Sequence, residues 1–376
     1  MTQASKSRYF IGLMSGTSVD GVDAALIDCS SSHITLIDFI EHPLSENLKA
    51  QLLELNHNQT LSLASLCQLE HDVAMAFITA TQSLLSKANL SPNDIIAIGS
   101  HGQTIFHAPT IPMSLQIGHP AFIAKQTGID TVADFRVDDL AVGGQGAPLA
   151  PSFHQKLFKS EQATYVVNIG GIANVSYLND ATQAIYGFDT GPGNALMDEI
   201  CQQQFDCPFD KNGHIARSGQ IQAGLLKQLL DHPYFKTSFP KSTGRETFNN
   251  HWLSNELNRY STPVSSEDLL ATLCELTAQS IQLGIKQLAQ QLDAASASVW
   301  IVGGGAYNPL LIERIQSALP NYSVQSSLAK QINPNAIEAM MCGWLAQQRI
   351  DNQAIPLKAI TGATRNVICG GVWSAK

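Results

Sequence analysis

The chain has 376 residues, 44% of them hydrophobic and 14% charged, so it carries enough apolar material for two domain cores and fewer charges than the roughly 25% of an average globular chain. Its formal net charge is −9 and no run of Lys and Arg interrupts that acidity, which argues against a nucleic-acid partner. No window approaches the roughly 18 consecutive apolar residues of a membrane span, and seven cysteines without a C-x-x-C pair read as reduced thiols of a cytoplasmic protein.

Lys6 and Arg8 precede an apolar stretch at 9–14, but Ser15-Gly16-Thr17-Ser18 breaks it too early for a secretory signal. That stretch reads as a buried strand, 15–20 as a turn and 21–29 as the return strand of a hairpin. Helical periodicity follows at 48–55 and from 61 to about 88. Residues 95–98 form a short buried strand ending at Gly99-Ser100-His101-Gly102, 121–127 a helix and 130–133 a strand. A Gly-rich connection at 143–146, closed by Ala147-Pro148, lies near the expected domain boundary. The predicted division is 1–134 plus 354–376 against 135–353. Tyr165 opens a second strand–turn–strand that resembles the first and suggests an internal duplication. The second half continues with a strand at 184–188, a turn at 190–193 and a helix at 194–204. A helix-rich stretch at 221–292 holds a polar loop around 239–247. A strand at 299–302, a helix at 336–348 and a C-terminal segment at 360–373 that packs back on the first domain complete the reading.

Neither G-x-x-x-x-G-K-[ST] nor a strand-to-helix G-x-G-x-x-G occurs, so P-loop and Rossmann nucleotide sites are unsupported. What remains is four Gly-rich turns at the ends of apolar strands: Ser15-Gly16-Thr17-Ser18, Asn168-Ile169-Gly170-Gly171, Asp189-Thr190-Gly191-Pro192-Gly193 and Gly303-Gly304-Gly305-Ala306. Glycine lets backbone N–H groups approach phosphate oxygens with no Cβ in the way. These turns contain no Lys or Arg, so amide dipoles, hydroxyls, helix N-termini and a divalent cation would meet the phosphate charge. Asp189, where a buried strand gives way to a turn and a helix, is either an ionised general base or a turn cap. His101 and His107 have poor metal-ligand spacing, and Asp198-Glu199 reads as helix surface.

Taken together, the chain resembles the 1,6-anhydro-N-acetylmuramic acid kinases, a bacterial branch of the actin, hexokinase and Hsp70 ATPase superfamily. The resemblance runs from Ile11 to about Trp373. It is carried by Gly12-Leu13-Met14-Ser15-Gly16-Thr17-Ser18-Val19-Asp20-Gly21-Val22-Asp23, by Ser100-His101-Gly102-Gln103-Thr104 and by Asp134-Phe135-Arg136 with Gly143-Gly144-Gln145-Gly146-Ala147-Pro148. Asn168 to Asn174, Gly187 to Asn194 and Gly303-Gly304-Gly305-Ala306-Tyr307-Asn308-Pro309 complete it.

The resemblance implies a two-domain α/β actin-like (ribonuclease H-like) fold with an interdomain cleft, and ATP, Mg²⁺ and water as reactants. Water would open the 1,6-anhydro bridge of the sugar while O6 is phosphorylated, giving N-acetylmuramic acid 6-phosphate and ADP in cell-wall recycling. Gly16 to Asp23 then look like the first phosphate loop, Asn168, Gly170 and Gly171 the second, and Gly303, Gly304 and Gly305 with Tyr307 the adenosine contact. Asp189 looks like the base, and His101, Gln103, Arg136, Gln145 and Glu338 look like sugar ligands, Arg136 for the lactyl carboxylate unless it pairs with Asp138 or Asp139. Many superfamily members place an Asp where this chain has Met14, so Asp20, Asp23 or Asp189 would have to serve Mg²⁺, with Asp20 and Asp189 the chosen candidates. The resemblance leaves a homodimer open. Competing readings are a conventional sugar or acetate kinase of the same fold, a nucleotide-gated chaperone or filament protein, and a non-catalytic sugar sensor. The chaperone is disfavoured because little sequence follows the last nucleotide-fold element.

Overall fold

A computed structural model describes residues 7–16, 19–31, 33–58, 60–158, 163–179, 182, 184–239, 241–292 and 298–376. Thr17 and Ser18 of the first expected phosphate turn lie outside the described residues. The strands are β1 (Tyr9–Ser15), β2 (Gly21–Asp28), β3 (Thr35–Pro43), β4 (Ile95–Ala108), β5 (Met113–Ile117), β6 (Thr131–Ala133), β7 (Thr164–Ile169), β8 (Ile172–Asn179), β9 (Ala184–Pro192), β10 (Ser298–Val302), β11 (Ser323–Ser326) and β12 (Gly371–Trp373). The chain divides into two compact units, Met1–Leu157 with Ala336–Lys376, and Phe158–Asn335.

The first unit holds a sheet of order β12-β6-β4-β1-β2-β3, with β5 paired to β4. β1, β2 and β3 run antiparallel, while β4 and β6 continue the sheet parallel to β1. The second unit has the order β11-β10-β7-β8-β9. β7, β8 and β9 run antiparallel, and β10 and β11 continue parallel to β7. Both sheets therefore use one plan, the strand order of the ribonuclease H-like fold, and the duplication suggested by the two hairpins extends to the whole topology. A parallel step from β1 to β4 requires a crossover, and the long helix Leu63–Ala88 lies within it. Ser62 caps that helix by accepting from Ser65 N at 3.1 Å, and Asn89 ends it in the left-handed region.

Alternation sets the two faces of the first sheet. Ile11, Leu13, Val22, Ala24 and Leu26 meet Leu69, Val73, Phe77 and Leu84 of the long helix in one buried core. Gly12 points to the other face. A Cβ there would lie 1.7 Å from Ala339 O, and one on Gly99 of β4 would lie 1.9 Å from Cys342 O. The helix Ile337–Ile350 thus rests on the backbones of β1 and β4, and its own Gly343 lies against Gly12 N and Ile27. In the second unit the helix Ser266–Leu292 covers the sheet with Leu270, Leu273, Ile281 and Ile285.

The units part at 157/158 and 335/336, not at the expected 134/135 and 353/354. The reason is local packing. Asp139 accepts from Gly146 N and from Thr361 Oγ1, both at 2.7 Å, joining the helix Phe135–Ala141 to the C-terminal segment. Phe153 of the helix Ala150–Leu157 lies 5.6 Å from Trp344, centroid to centroid. Strand β12 pairs with β6, so the C-terminal segment does return to the first unit as expected. β4 continues to Ala108 through Gly99 and Gly102, which the sequence suggested as its end. No helix among the described residues is long and apolar enough to cross a membrane.

Gly99→Ala should force the helix Ile337–Ile350 off the sheet and lower unfolding stability by about 1–3 kcal/mol, the usual cost of overpacking. Urea denaturation measures it. An unchanged midpoint would mean that the helix can retreat without loss.

Candidate active site

In the first unit, the connection from β1 to β2 is held from below. Ser15 is buried, and its Oγ lies 2.6 Å from Gln103 Oε1 and 3.0 Å from Gly21 O. Gln103, also buried, turns its other end to the loop and donates from Nε2 to Gly16 O at 3.3 Å. Val19 N donates to the same carbonyl at 3.2 Å. Val19 is fully buried at φ +57°, a region that β-branched residues avoid. Gly16 and Gly21 thus sit at the two ends of a braced turn.

Asp20 is mostly exposed and pairs with Lys49 at 2.8 Å. Asp23 stands opposite Met14 on β1 and Glu41 on β3. Burial, then the charges of Glu41, Glu338 and Asp20, push its carboxyl up to about 7. Val22 beside it is part of the core rather than the loop surface.

His101, buried, and Arg136, half-buried, form one hydrogen-bonded unit. Arg136 donates from Nε to His101 Nε2 at 3.0 Å and from a terminal nitrogen to Gly146 O at 2.8 Å. Since His101 Nε2 accepts, the proton belongs on Nδ1, which lies 3.1 Å from Gly102 O. Burial, then the Arg136 charge, lowers the imidazole to about 3, so it stays neutral. Burial also lowers Arg136, while Cys342 and Glu338 support its charge. Pairing of Arg136 with Asp138 or Asp139 does not occur: Asp138 accepts from Gly370 N at 2.6 Å, and Asp139 serves Gly146 and Thr361. Glu338 occupies the first turn of its helix, half-buried, and Gln145 is exposed.

In the second unit the remaining Gly-rich turns converge on the end of β7. Gly193 N donates to Gly171 O at 2.9 Å, Asn194 N to Gly170 O at 2.8 Å and Ala195 N to Gly171 O at 3.2 Å. Asn194 Nδ2 donates to Ile169 O at 3.1 Å. Gly303 has φ +73°, and a Cβ on it would lie 2.3 Å from Asn168 Oδ1; one on Gly305 would lie 2.5 Å from Ile169. Gly304 faces Ile169 O and Asn194. The amides of Gly193, Asn194 and Ala195, at the entry to the helix Ala195–Gln204, thus serve loop carbonyls. Tyr307 donates to Asn333 at 2.9 Å.

Asp189 lies inside β9, opposite Asn174, next to a bulge where Gly191 pairs with Ala173. It is not at the strand end, because β9 continues to Pro192. Its Oδ2 accepts from Ser242 Oγ at 2.9 Å and Thr243 N at 3.0 Å, and its backbone O accepts from Tyr234 Oη at 2.6 Å. Burial raises its pKa, the two hydrogen bonds to Oδ2 pull it back, and Glu246 raises it further. Sequence reasoning missed Tyr234, Ser242 and Thr243. Their only signal was the polar, hydroxyl-bearing loop within a helix-rich stretch.

A duplicated ribonuclease H-like sheet, with a braced turn after the first strand of one copy and three Gly-rich turns near the first strand of the other, is the architecture of the actin-like ATPase class. The sequence profile described as Anhydro-N-acetylmuramic acid kinase matches residues 8–375. The anhydro-N-acetylmuramic acid kinase of Hydrogenovibrio crunogenus is 53% identical over 367 residues, covering 98% of each chain. That of Vibrio cholerae is 44% identical over 367 residues, 97% of this chain and 98% of its own. A ROK family glucokinase from Streptomyces griseus, solved with glucose and AMPPNP, covers 90% of this chain and 99% of its own at 13% identity and a TM-score of 0.42. The chain belongs to the anhydro-N-acetylmuramic acid kinase family, and is thus a sugar kinase that uses ATP.

Gly303→Ala should weaken ATP binding at least about tenfold, or about 1.4 kcal/mol, because the new methyl collides with Asn168 and the backbone leaves its left-handed region. Calorimetric titration measures it, with circular dichroism as the check on folding. Unchanged affinity would remove this turn from the nucleotide site.

Proposed function

We propose that the protein opens the 1,6-anhydro bridge of 1,6-anhydro-N-acetylmuramic acid with water and phosphorylates O6, with Asp189 as general base. The observation that carries the reading is the Asp189 carboxylate: Oδ2 is fixed by Ser242 and Thr243, while Oδ1 has no hydrogen-bond partner among the described residues. A fixed oxygen orients the group and the other is available to a water. The ether oxygen O6 has no proton to lose. Water must therefore attack C1, pass one proton to Asp189 and keep the other as the new C1 hydroxyl. The C1–O6 pair goes to O6, which takes the γ-phosphoryl group as ADP leaves. General-base help of this kind is worth about 10²–10⁴-fold.

Arg136 suits the lactyl carboxylate, since its guanidinium is held by a neutral imidazole and a carbonyl. His101, Gln145 and Glu338 are the accompanying sugar ligands in this reading. Gln103 acts differently: its amide is occupied by Ser15 and Gly16, so it shapes the first phosphate loop. Gly16 to Asp23, Asn168, Gly170, Gly171 and Gly303 to Gly305 receive the nucleotide. Mg²⁺ would neutralise phosphate charge, and it commonly takes one or two carboxylates plus phosphate oxygens and waters. Asp20 keeps one oxygen unspent among the described residues, which fits that role, whereas the free oxygen of Asp189, the other candidate, is given to the water in this reading. Free cysteines, mostly buried, support a reducing cytoplasmic setting, in keeping with recycling of cell-wall fragments.

Only ionised Asp189 accepts a proton, and its pKa is raised. Turnover should therefore fall with decreasing pH along a limb lying above the ordinary carboxylate range. Asp189→Asn should cost at least about 10²-fold in kcat with ATP affinity within a few-fold. In ¹⁸O-water the label should appear on C1 of the product and not in its phosphate, by mass spectrometry. Retention of most activity by the Asn variant would remove Asp189 as base. Phosphorylation of ordinary N-acetylmuramic acid at equal rate, without incorporation of water, would favour a conventional sugar kinase.

A further inference from the structure

We infer that Cys201 and Cys207 form a modification site, a pair of thiols that hydrogen peroxide joins in a reversible disulfide at the C-terminal end of the helix Ala195–Gln204. The way that helix ends brings the two together. Phe205 N donates to Cys201 O at 3.0 Å, and Asp206 then takes φ +50°, the left-handed turn that stops the helix. The chain reverses, and Cys207 N comes back to the same carbonyl at 3.4 Å. The Cys207 thiol follows, with Sγ 4.0 Å from Cys201 O. Turns of this kind commonly lay the side chain just past the turn against one from the last helical turn. Here both of those side chains are thiols. A disulfide needs its Cα atoms within about 7 Å, and a backbone hydrogen bond running from one cysteine to the other keeps them there.

The two thiols differ in access, and that sets the order of events. Cys201 is fully buried, while Cys207 is half-buried and its Sγ lies 3.6 Å from Phe209 O at the surface. Burial, then the charge of Cys207, pushes the Cys201 thiol up to about 12. Peroxide therefore meets Cys207 first. The Cys207 sulfur takes one oxygen of the peroxide as its O–O bond breaks, giving a sulfenic acid and one water. The Cys201 sulfur then attacks the sulfenic sulfur. An S–S bond forms, the S–O bond breaks, and the hydroxyl leaves with the Cys201 proton as a second water. Two thiols and one peroxide thus give one disulfide and two waters, and a thiol reductant reverses the change. A transient disulfide of this kind is the form expected in a reducing compartment. It also holds Cys207 at the reversible stage, short of the sulfinic acid. Cys67, exposed on the long helix of the first unit, is the internal control for exposure alone.

The test is to treat the full-length, ligand-free protein with hydrogen peroxide, block the remaining thiols by alkylation and cleave before aspartate. Asp198, Asp206 and Asp210 then release 198–205 with Cys201 and 206–209 with Cys207 as separate fragments. Mass spectrometry should find these two fragments linked, accounting for most of the oxidised Cys207, and dithiothreitol should part them into two free thiols. Cys201→Ala should let the Cys207 sulfenic acid accumulate, with at least about tenfold more of it trapped by dimedone than in the wild type. Cys207→Ser, at the accessible position, covers the case in which Cys201→Ala does not fold, and should leave Cys201 reduced under the same peroxide. The pair is overturned if Cys207 goes on to the sulfinic acid while Cys201 stays free, or if it links to Cys67 instead. Equal dimedone trapping in wild type and Cys201→Ala overturns it too, as does a Cys207 that stays reduced while Cys67 is oxidised. Oxidation of Cys201 in Cys207→Ser at the wild-type rate would show that peroxide reaches the buried thiol directly, and would overturn the order of events together with the pairing.

Discussion

The first unit depends on a helix lying directly on strand backbones. Gly12 and Gly99 carry no side chain on the face where Ala339 and Cys342 approach, and Gly343 answers them from the helix. Ordinary helix-on-sheet packing keeps a layer of side chains between the two, so this contact requires glycine at fixed places on both elements. Its effect is positional. The helix Ile337–Ile350 enters close to the sheet, and its first turn sets Glu338 where its charge is felt by Asp23 and Arg136. Strand β1, held on this face by backbone and on the other by the long helix, then delivers the turn at Ser15 and Gly16 from a rigid base.

That turn is shaped by packing more than by its own preferences. Val19 occupies a backbone region that costs on the order of 1–3 kcal/mol, and it is kept there because its side chain belongs to the buried core. Gln103 and Ser15 complete the brace from within. The second unit uses another device. Two of its Gly-rich turns are tied to each other by backbone donors and by Asn194, the third lies close against Asn168 and Ile169, and glycine appears where a Cβ would strike Asn168, Ile169 or the Gly170 carbonyl. The glycine turn of the first unit is thus braced by side chains and those of the second largely by main chain.

Much of this was legible because it is local. The apolar runs at 9–14 and 165–168, the glycine turns after them and the family motifs all lie on short stretches of sequence. What escaped was set by distant partners. Gly99 and Gly102 looked like the end of β4, yet Gly99 is inside the strand because a helix backbone sits on it. β3 was missed because its half-buried, mixed pattern, with Asp38, Glu41 and His42, lacks a clean alternation. Asp189 was found, but its surroundings were not, since Ser242 and Thr243 follow it by 53 and 54 residues. The boundary at 134/135 failed for a similar reason: Asp139 answers to Thr361, 222 residues away.

The buried imidazoles carry a further consequence, for the balance between folded and unfolded chains. His101 and His154 are both lowered by burial from 6.5 to about 3, and both lie in the unit that carries β1. Between those limits the unfolded chain binds protons that the folded one refuses. Each imidazole therefore withdraws up to about 1.4 kcal/mol of stability for every pH unit of acidification below its unfolded value. In the unit built around glycine-to-backbone contact these two imidazoles thus work against the fold as pH falls, while Asp23, whose carboxyl burial pushes up to about 7, works for it by taking a proton that the unfolded chain does not.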